Sequence, residues 1–287
     1  MQPTHHRILP ETVVGCSYKL ILMAKFENKT VWITGASSGI GEACAYLFAQ
    51  EKANLILTAS GKEALVKTQG KCLELGAVCH ILPYDLSNLD GIPMLVENAL
   101  ACFGRIDILF NNAGISQRGL SGDTLFEVDK KIMDVNYFAP VLLTKLILPG
   151  MLKQQGGTIA VTSSIAGKFG FPLRSSYSAS KHALYGYFET VQAEYYDRNI
   201  RVVMICPGRV NTNISVNALE LDGKKHGVMD SGQKTGISAE KAAKKIVQAI
   251  YKQKPEVLVG GKELVMVIIK RLFPALASRL VRKLNPM

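Results

Sequence analysis

Metal-ligand spacing is missing from this chain. Its six cysteines (Cys16, Cys44, Cys72, Cys79, Cys102 and Cys206) include no C-x2-C pair, and its five histidines include no pair at ligand spacing. Neither a zinc site nor a disulfide framework is expected, no metal is assigned, and a reducing, cytoplasmic setting fits best. No run of about 18 uninterrupted apolar residues occurs, so no spanning helix is expected. Residues 1–22 contain apolar positions, but Glu11 and Lys19 interrupt them, and no signal-peptide layout is present. They read as a dispensable, non-structural leader. Internal repeats and low-complexity tracts are absent. A basic module with interleaved aromatics is absent too, so the net charge of +11 is not read as affinity for nucleic acid.

What is present is the composition of a globular protein, with 287 residues, 48% hydrophobic and 20% charged. From Thr30 onward, short apolar runs alternate with longer segments of helical period, the pattern of a parallel sheet covered on both faces by helices. Strands are expected at Thr30–Thr34, Asn54–Ala59, Val78–Pro83, Ile106–Phe110, Thr158–Ser163, Arg201–Cys206 and Glu256–Val259. Helices are expected near Ile40–Gln50, Lys62–Leu75, Leu89–Phe103, Asn136–Gln154, Ser176–Asp197 and Ala239–Gln253. The fold class is therefore α/β, a Rossmann-type doubly wound parallel sheet of seven strands in one domain over residues 23–261. Asn211–Gly236 lacks strong periodicity and reads as a long functional loop or lid over a site.

Residues 262–287 form a basic amphipathic tail, with six basic residues (Lys262, Lys270, Arg271, Arg279, Arg282, Lys283) against one acid, Glu263. Leu264–Ile269 is continuously apolar, and Leu272, Phe273, Leu276, Ala277, Leu280, Val281 and Leu284 recur at helical spacing. Pro274 should divide the tail into two short helices, neither long enough to cross a bilayer. Such a face over 264–284 suits the surface of an anionic membrane, or alternatively the substrate cleft or a partner subunit.

The chemistry gathers at strand ends. The first strand runs directly into Thr34-Gly35-Ala36-Ser37-Ser38-Gly39-Ile40-Gly41 and then a helix. Glycines there allow a tight turn and let backbone N–H groups approach a pyrophosphate at the positive end of the helix dipole. Tyr177 and Lys181 form Y-x3-K, a pattern that ten tyrosines would supply about once by composition alone. Four residues apart, they share one helix face, where an ammonium favours the phenolate and makes tyrosine a usable acid/base. His182 lies roughly 100° around that helix from Lys181 and is assigned no role.

The spacing T-G-x3-G-x-G, together with Asn111-Asn112-Ala113-Gly114 closing the fourth strand, resembles the short-chain dehydrogenase/reductase family over roughly Phe26 to Gly260. Val216-Asn217-Ala218, Gly227-Val228-Met229-Asp230 and Gly236-Ile237-Ser238 resemble that family's member-seven subgroup, relatives of the hydroxysteroid dehydrogenases. The resemblance implies a nicotinamide cofactor contacted by Gly35, Ser37, Ser38, Gly39, Ile40, Gly41, Ser60, Asp85, Leu86, Asn112, Ala113 and Gly114. It adds Tyr177 and Lys181, and Pro207, Gly208, Val210 and Thr212 from a P-G-x-V-x-T segment. It also implies Tyr177 as acid/base and Ser164, 13 residues earlier, as the hydroxyl that holds the substrate oxygen, with Ser163 the competitor. Lys181 would tune the tyrosine, and Asn136 would sustain a water relay. The substrate class implied is a small or medium apolar carbonyl or alcohol, steroid-, retinoid- or lipid-like. Homo-oligomers formed by pairing the two long helices are the family's habit. At the end of the second strand, Ala59 and Ser60 offer no carboxylate to repel a 2′-phosphate and Lys62 is near, so NADP is favoured over NAD.

Overall fold

The computed structural model describes residues 25–283. The leader reading for residues 1–22, and Leu284 of the tail, lie outside them. A seven-stranded parallel sheet is formed by β1 (Thr30–Thr34), β2 (Asn54–Thr58), β3 (Cys79–Ile81), β4 (Ile108–Asn111), β5 (Gly157–Thr162), β6 (Ile200–Pro207) and β7 (Glu256–Val259). Its order is β3-β2-β1-β4-β5-β6-β7, so the chain starts at the middle, winds outward to β3, and returns through β4 to the other edge. The reversal lies between β1 and β4, and a crevice opens there at the carboxyl ends of the strands.

Alternation along β1 shows why both faces are covered. Val31 and Ile33 point into a core shared with α1 (Gly39–Gln50), while Trp32 points into the opposite core. All three are fully buried. The first core is shared also with α2 (Lys62–Glu74). The second is built on α3 (Ile92–Phe103). Parallel strands buried on both faces read as continuous apolar runs rather than as alternating ones, which is why β1 matches its expected limits residue for residue; β7, a partly exposed edge strand, matches as well.

One helix differs from its expected start. Instead of beginning at Asn136, the helical segment runs from Phe126 to Lys153. It comprises α4 (Phe126–Met133), a π turn at Asp134–Phe138, and α5 (Ala139–Lys153). The charges of Glu127, Asp129, Lys130 and Lys131 dilute the apolar period of its first turns. Pro140 has no N–H for the Asn136 carbonyl four residues back and crowds it, and the Ala139 N–H bonds Asp134 O instead. The segment is long and apolar enough to cross a membrane by composition, but its α5 residues Leu143, Ile147 and Met151 are buried in the second core.

Besides a four-residue helical turn at Ser231–Lys234, the remaining α-helices are α6 (Ser175–Tyr195), α7 (Ala239–Tyr251), α8 (Val265–Leu272) and α9 (Pro274–Val281). The tail thus divides at Pro274, which occupies the first turn of α9 where its missing N–H is harmless. A single apolar face does not form, however. Leu264, Met266, Val267 and Val281 pack inward on Ile165 and Phe169, whereas Val265, Ile268, Leu272, Phe273 and Leu276 stay exposed. The loop after β6 is pinned at intervals by two-residue strands: Leu219–Glu220 pairs with Gln117–Arg118, and Ile237–Ser238 with Val210–Asn211.

Phe188 on α6 is fully buried in the second core. Truncation to Ala leaves a cavity that close-packed neighbours fill poorly, so Phe188→Ala is expected to lower unfolding free energy by about 3–5 kcal/mol in a urea titration.

Candidate active site

At the end of β1, Gly35 and Gly39 adopt φ of +66° and +58°, which a side chain resists. A Cβ on Gly41 would lie 2.2 Å from the Gly35 carbonyl oxygen, so only glycine lets α1 pack this close to the turn. Gly41 therefore acts by close packing, and it does not line the cavity that its neighbours line. Ser38 takes the N-cap position of α1 but makes no capping bond, so the first N–H groups of that helix are offered to an anion.

Asn112 and Thr34 weld the fourth strand to this turn. Thr34 Oγ1 accepts from the N–H groups of Asn112 and Ala113 at 3.0 and 3.1 Å, and Asn112 Nδ2 donates to the carbonyls of Thr34 and Gly35 at 3.1 and 3.2 Å. Beyond the turn lies a cavity of about 480 Å³ lined by Gly35, Ser37–Ile40, Ser60, Asp85, Leu86 and Asn112–Gly114. The stacked glycines, the unbonded helix start and the length of this trench fit a dinucleotide. Ala59 and Ser60 bring no carboxylate to its wall, and Lys62, the first residue of α2, is exposed next to them.

A second cavity of about 380 Å³ continues the trench, and the two share Ile40, Asn112, Gly114, Thr162, Thr212 and Ile214. Its walls include Ser164, Tyr177, Lys181, Pro207, Gly208 and Val210. Ser164, Tyr177 and Lys181 are thus brought together with the residues read as nicotinamide-facing at one end, and those read as adenosine-facing lie at the other, whereas Asn136 lines neither cavity and is buried beside Gly114.

Each polar group there has a positioning partner. Lys181, almost fully buried one turn after Tyr177 on α6, donates from Nζ to the Thr162 carbonyl at 2.8 Å and lies 5.8 Å from the Tyr177 ring centre. Asn136, fully buried in the π turn, accepts from the Ile115 N–H at 2.8 Å and donates to the Ile115 carbonyl at 2.9 Å and Ser180 Oγ at 3.0 Å. A Cβ on Gly114 would stand 3.2 Å from both Asn136 Oδ1 and Lys181 Nζ, so these two groups flank the same short piece of backbone. Ser163 donates to the Lys181 carbonyl at 2.9 Å, whereas Ser164 accepts from the Ala166 N–H at 3.1 Å and acts on the Tyr177 phenol. His182 is exposed and its Nδ1 lies 2.8 Å from the Ser178 carbonyl, away from the cleft.

The electrostatics differ from the expectation that Lys181 lowers the tyrosine. Burial pushes the Tyr177 phenol above its ordinary value, and the groups that pull it back are the Ser164 hydroxyl, then the guanidiniums of Arg174 and Arg118. Lys181 is itself pushed down to about 7 by burial. An ammonium that is hard to keep charged is a weak electrostatic partner, and with its value brought down to about 7 it gives up a proton readily near neutral pH, the amine taking one back. Arg118, Arg174 and Gln117 were not foreseen as site residues. Nothing in the local pattern marks them, since a buried arginine looks like a surface one in sequence.

Among the described residues no group of three or more His, Cys, Asp or Glu side chains converges on a common point. The cleft can hold a dinucleotide along the trench and present a hydroxyl and a phenol to one oxygen atom.

Residues 29–222 match the family pattern for short chain dehydrogenase. The chain is 39% identical over 267 residues to dehydrogenase/reductase SDR family member 7B of Mus musculus, covering 90% of this chain and 81% of that protein. It is 41% identical over 264 residues to a dehydrogenase/reductase SDR family protein 7-like of Anopheles gambiae, with 88% and 83% covered. Among solved structures it is similar to a short chain dehydrogenase/reductase from Burkholderia phymatum in complex with NAD, with a TM-score of 0.77, 25% identity, and 92% and 98% of the two chains covered. A metagenomic short-chain oxidoreductase in complex with NADP gives a TM-score of 0.68 at 28% identity, covering 82% and 98%.

Proposed function

Given that this chain belongs to the short-chain dehydrogenase family and is an oxidoreductase, we propose that it interconverts an apolar ketone or aldehyde and the corresponding alcohol with Tyr177 as acid/base. The observation that carries this reading is the convergence of Ser164, Tyr177 and Lys181 on the cavity that continues the dinucleotide trench. A bound nicotinamide supplies a hydride to the substrate carbon, or takes one from it. Ser164 donates to the substrate oxygen and steadies the charge that develops there. In reduction Tyr177 gives its phenolic proton to that oxygen, and in oxidation the phenolate takes it back. Lys181 and Asn136, both beside Gly114, restore the proton to the phenol through solvent. The walls offered by Ile165, Ala166, Phe169, Phe171, Ile214 and Met266 suit an apolar substrate.

NADP(H) is the cofactor we favour, because Ala59 and Ser60 stand where a carboxylate would reject a 2′-phosphate. Incubating the protein with NADPH or NADH and a panel of cyclohexanone, acetophenone, a 3-ketosteroid and retinal tests both points by loss of reduced cofactor. Turnover of none of them, nor of the corresponding alcohols with NADP+ or NAD+, overturns the reading, and a clear NADH preference in calorimetric affinities overturns the cofactor choice. Pairing of the α4–α5 segment and α6 with a second copy is proposed for the oligomer, supported by exposed Phe138 and Tyr196 on those helices or just beyond. A monomer at micromolar concentrations in light scattering would contradict it.

A peripheral membrane contact is supported by the exposed row Val265, Ile268, Leu272, Phe273 and Leu276 beside the exposed cations Lys270, Arg271, Arg279, Arg282 and Lys283. Met266 on the same helix lines the substrate cavity, so lipid bound to the outer face would stand next to the substrate entrance. The full chain is expected to float with phosphatidylserine vesicles, and to lose this in Ile268→Glu/Phe273→Glu. Failure to float with either phosphatidylserine or phosphatidylcholine vesicles rejects the contact.

A further inference from the structure

Three residues beyond Gly114, Gln117 and Arg118 form a two-residue strand whose side chains are both buried. Gln117 faces α6. Its Oε1 accepts from the N–H groups of Ser176 and Tyr177 at 2.9 and 3.4 Å, and its Nε2 donates to Ser175 Oγ at 3.3 Å and Thr124 Oγ1 at 3.1 Å. The first turn of the helix that carries Tyr177 is therefore capped by this carboxamide.

Arg118 faces the loop that follows β6. Its Nη1 donates to Ser116 Oγ at 2.9 Å and to the Gln117 carbonyl at 2.5 Å, while its Nε and Nη2 engage the two carboxylate oxygens of Asp230. Arg174, the residue before α6, donates to the same carboxylate at 3.0 Å, and the Asp230 N–H is held by Ser215 Oγ at 3.2 Å. His226 Nε2 stands 3.6 Å from Asp230 Oδ1. All three charged residues line the cavity that contains Tyr177.

Two facts set this cluster apart from ordinary scaffolding. From Leu221 to Ser238, Asp230 is the one buried residue, so the segment that covers the substrate side is anchored by a charge and not by an apolar side chain. A buried ion pair is also a poor source of stability, because taking charges out of water offsets most of their attraction, whereas it fixes geometry strictly.

We propose that Asp230, Arg118 and Arg174 are positioning residues for the reaction: the carboxylate pins the 221–238 segment across the substrate side of the cleft, and in doing so holds two guanidiniums beside the Tyr177 phenol. Substrate capture and the ionisation of the acid/base are then set by one contact. The groups facing Tyr177 are Lys181 on its own helix, Ser164 after β5, Cys206 on β6, Arg118 and Arg174. Of these, Asp230 neutralises the two arginines.

The inference rests on the oxidoreductase reading, but its first arm does not need turnover. In Asp230→Asn, hydrogen exchange of peptides covering 224–236 should quicken at least tenfold in the full chain, with β1, β4 and β5 peptides unchanged. With the ketone that the unaltered protein turns over fastest, KM should rise at least tenfold and kcat fall less than threefold. The pH midpoint assigned to Tyr177 should move down in Asp230→Asn, where the guanidiniums lose their counter-charge, and up in Arg118→Met, where one is removed. A merely structural anchor would not move that midpoint in opposite directions. Should Asp230→Asn fail to fold, Arg174→Lys carries the same test with a smaller, about threefold, quickening. Unchanged exchange over 224–236 overturns the proposal, as does an unmoved midpoint in both variants. Absence of turnover with every ketone sinks the oxidoreductase reading, and the exchange arm then decides this one alone.

Discussion

Tyr177→Phe is expected to lower kcat by about 10²–10⁴, the usual worth of a positioned acid/base, with cofactor affinity changed less than about twofold. The ring stays in place, and so does its packing at the end of the cavity, because only the phenolic oxygen is removed. Ser164 keeps its bond to the Ala166 N–H, and Lys181 keeps Thr162, so neither neighbour depends on the lost hydroxyl for its position. Burial holds the Tyr177 phenol above its ordinary value. Reduction, which needs the neutral phenol, should therefore be insensitive to pH until the phenol titrates and then fall. Oxidation needs the phenolate and should rise with pH over the same range. Both dependences should vanish from the residual activity of the variant. Steady-state kinetics in the two directions with calorimetric cofactor binding checks all of this, and full activity in Tyr177→Phe would refute the mechanism.

The parts of this molecule that sequence shows are those in which many residues repeat one signal. Val31, Trp32 and Ile33 between a turn and a glycine cluster announce a doubly buried strand, and the seven short apolar runs each form a strand of one sheet, the two edge strands being only partly buried. The trench is legible for the same reason, since Gly35, Gly39 and Gly41 stand at the strand-to-helix turn where only glycine fits. What stayed hidden depends on single contacts. Arg118 and Asp230 are 112 residues apart, and nothing local marks either as buried. Spacing to Tyr177 favours Ser164 over Ser163, but the bond that occupies the Ser163 hydroxyl, to the Lys181 carbonyl, is one that no spacing displays. The π turn at Asn136 was masked because charged residues in the first turns of α4 hide the start of the helix, while Pro140, which accounts for the turn, reads in sequence as an ordinary first-turn proline. The tail was legible as two helices but not as two-faced, because an apolar residue at helical spacing carries no sign of whether the surface it meets is protein or solvent.

Lys181→Met should separate activity from stability. The lysine is buried, no carboxylate among the described residues forms an ion pair with it, and its Nζ rests on the Thr162 carbonyl. Burial pushes it down to about 7 from the ordinary 10.5, so the folded state disfavours the charged form that the unfolded chain keeps. Below pH 7 the folded protein carries that penalty in full. As pH rises from about 7 toward 10.5 the folded lysine is neutral while the unfolded one is still charged, folding releases a proton, and the penalty is progressively lifted. Its size at neutral pH is on the order of 4 kcal/mol, while the hydrogen bond lost on substitution is worth about 1 kcal/mol. Methionine, similar in length and uncharged, should therefore raise the melting temperature by roughly 5 °C at pH 6. The gain should shrink above pH 7 and reverse slightly near pH 10, where only the lost hydrogen bond remains. Turnover should fall by at least about 10² through loss of proton return to Tyr177, and cofactor affinity should fall with it. Calorimetric scans of the two proteins from pH 6 to pH 10, beside kinetics at pH 7, read both effects. A melting temperature lowered equally at every pH would mean that Lys181 is a structural strut, whereas stabilisation at low pH with lost turnover identifies a cation that the fold tolerates for the sake of the reaction.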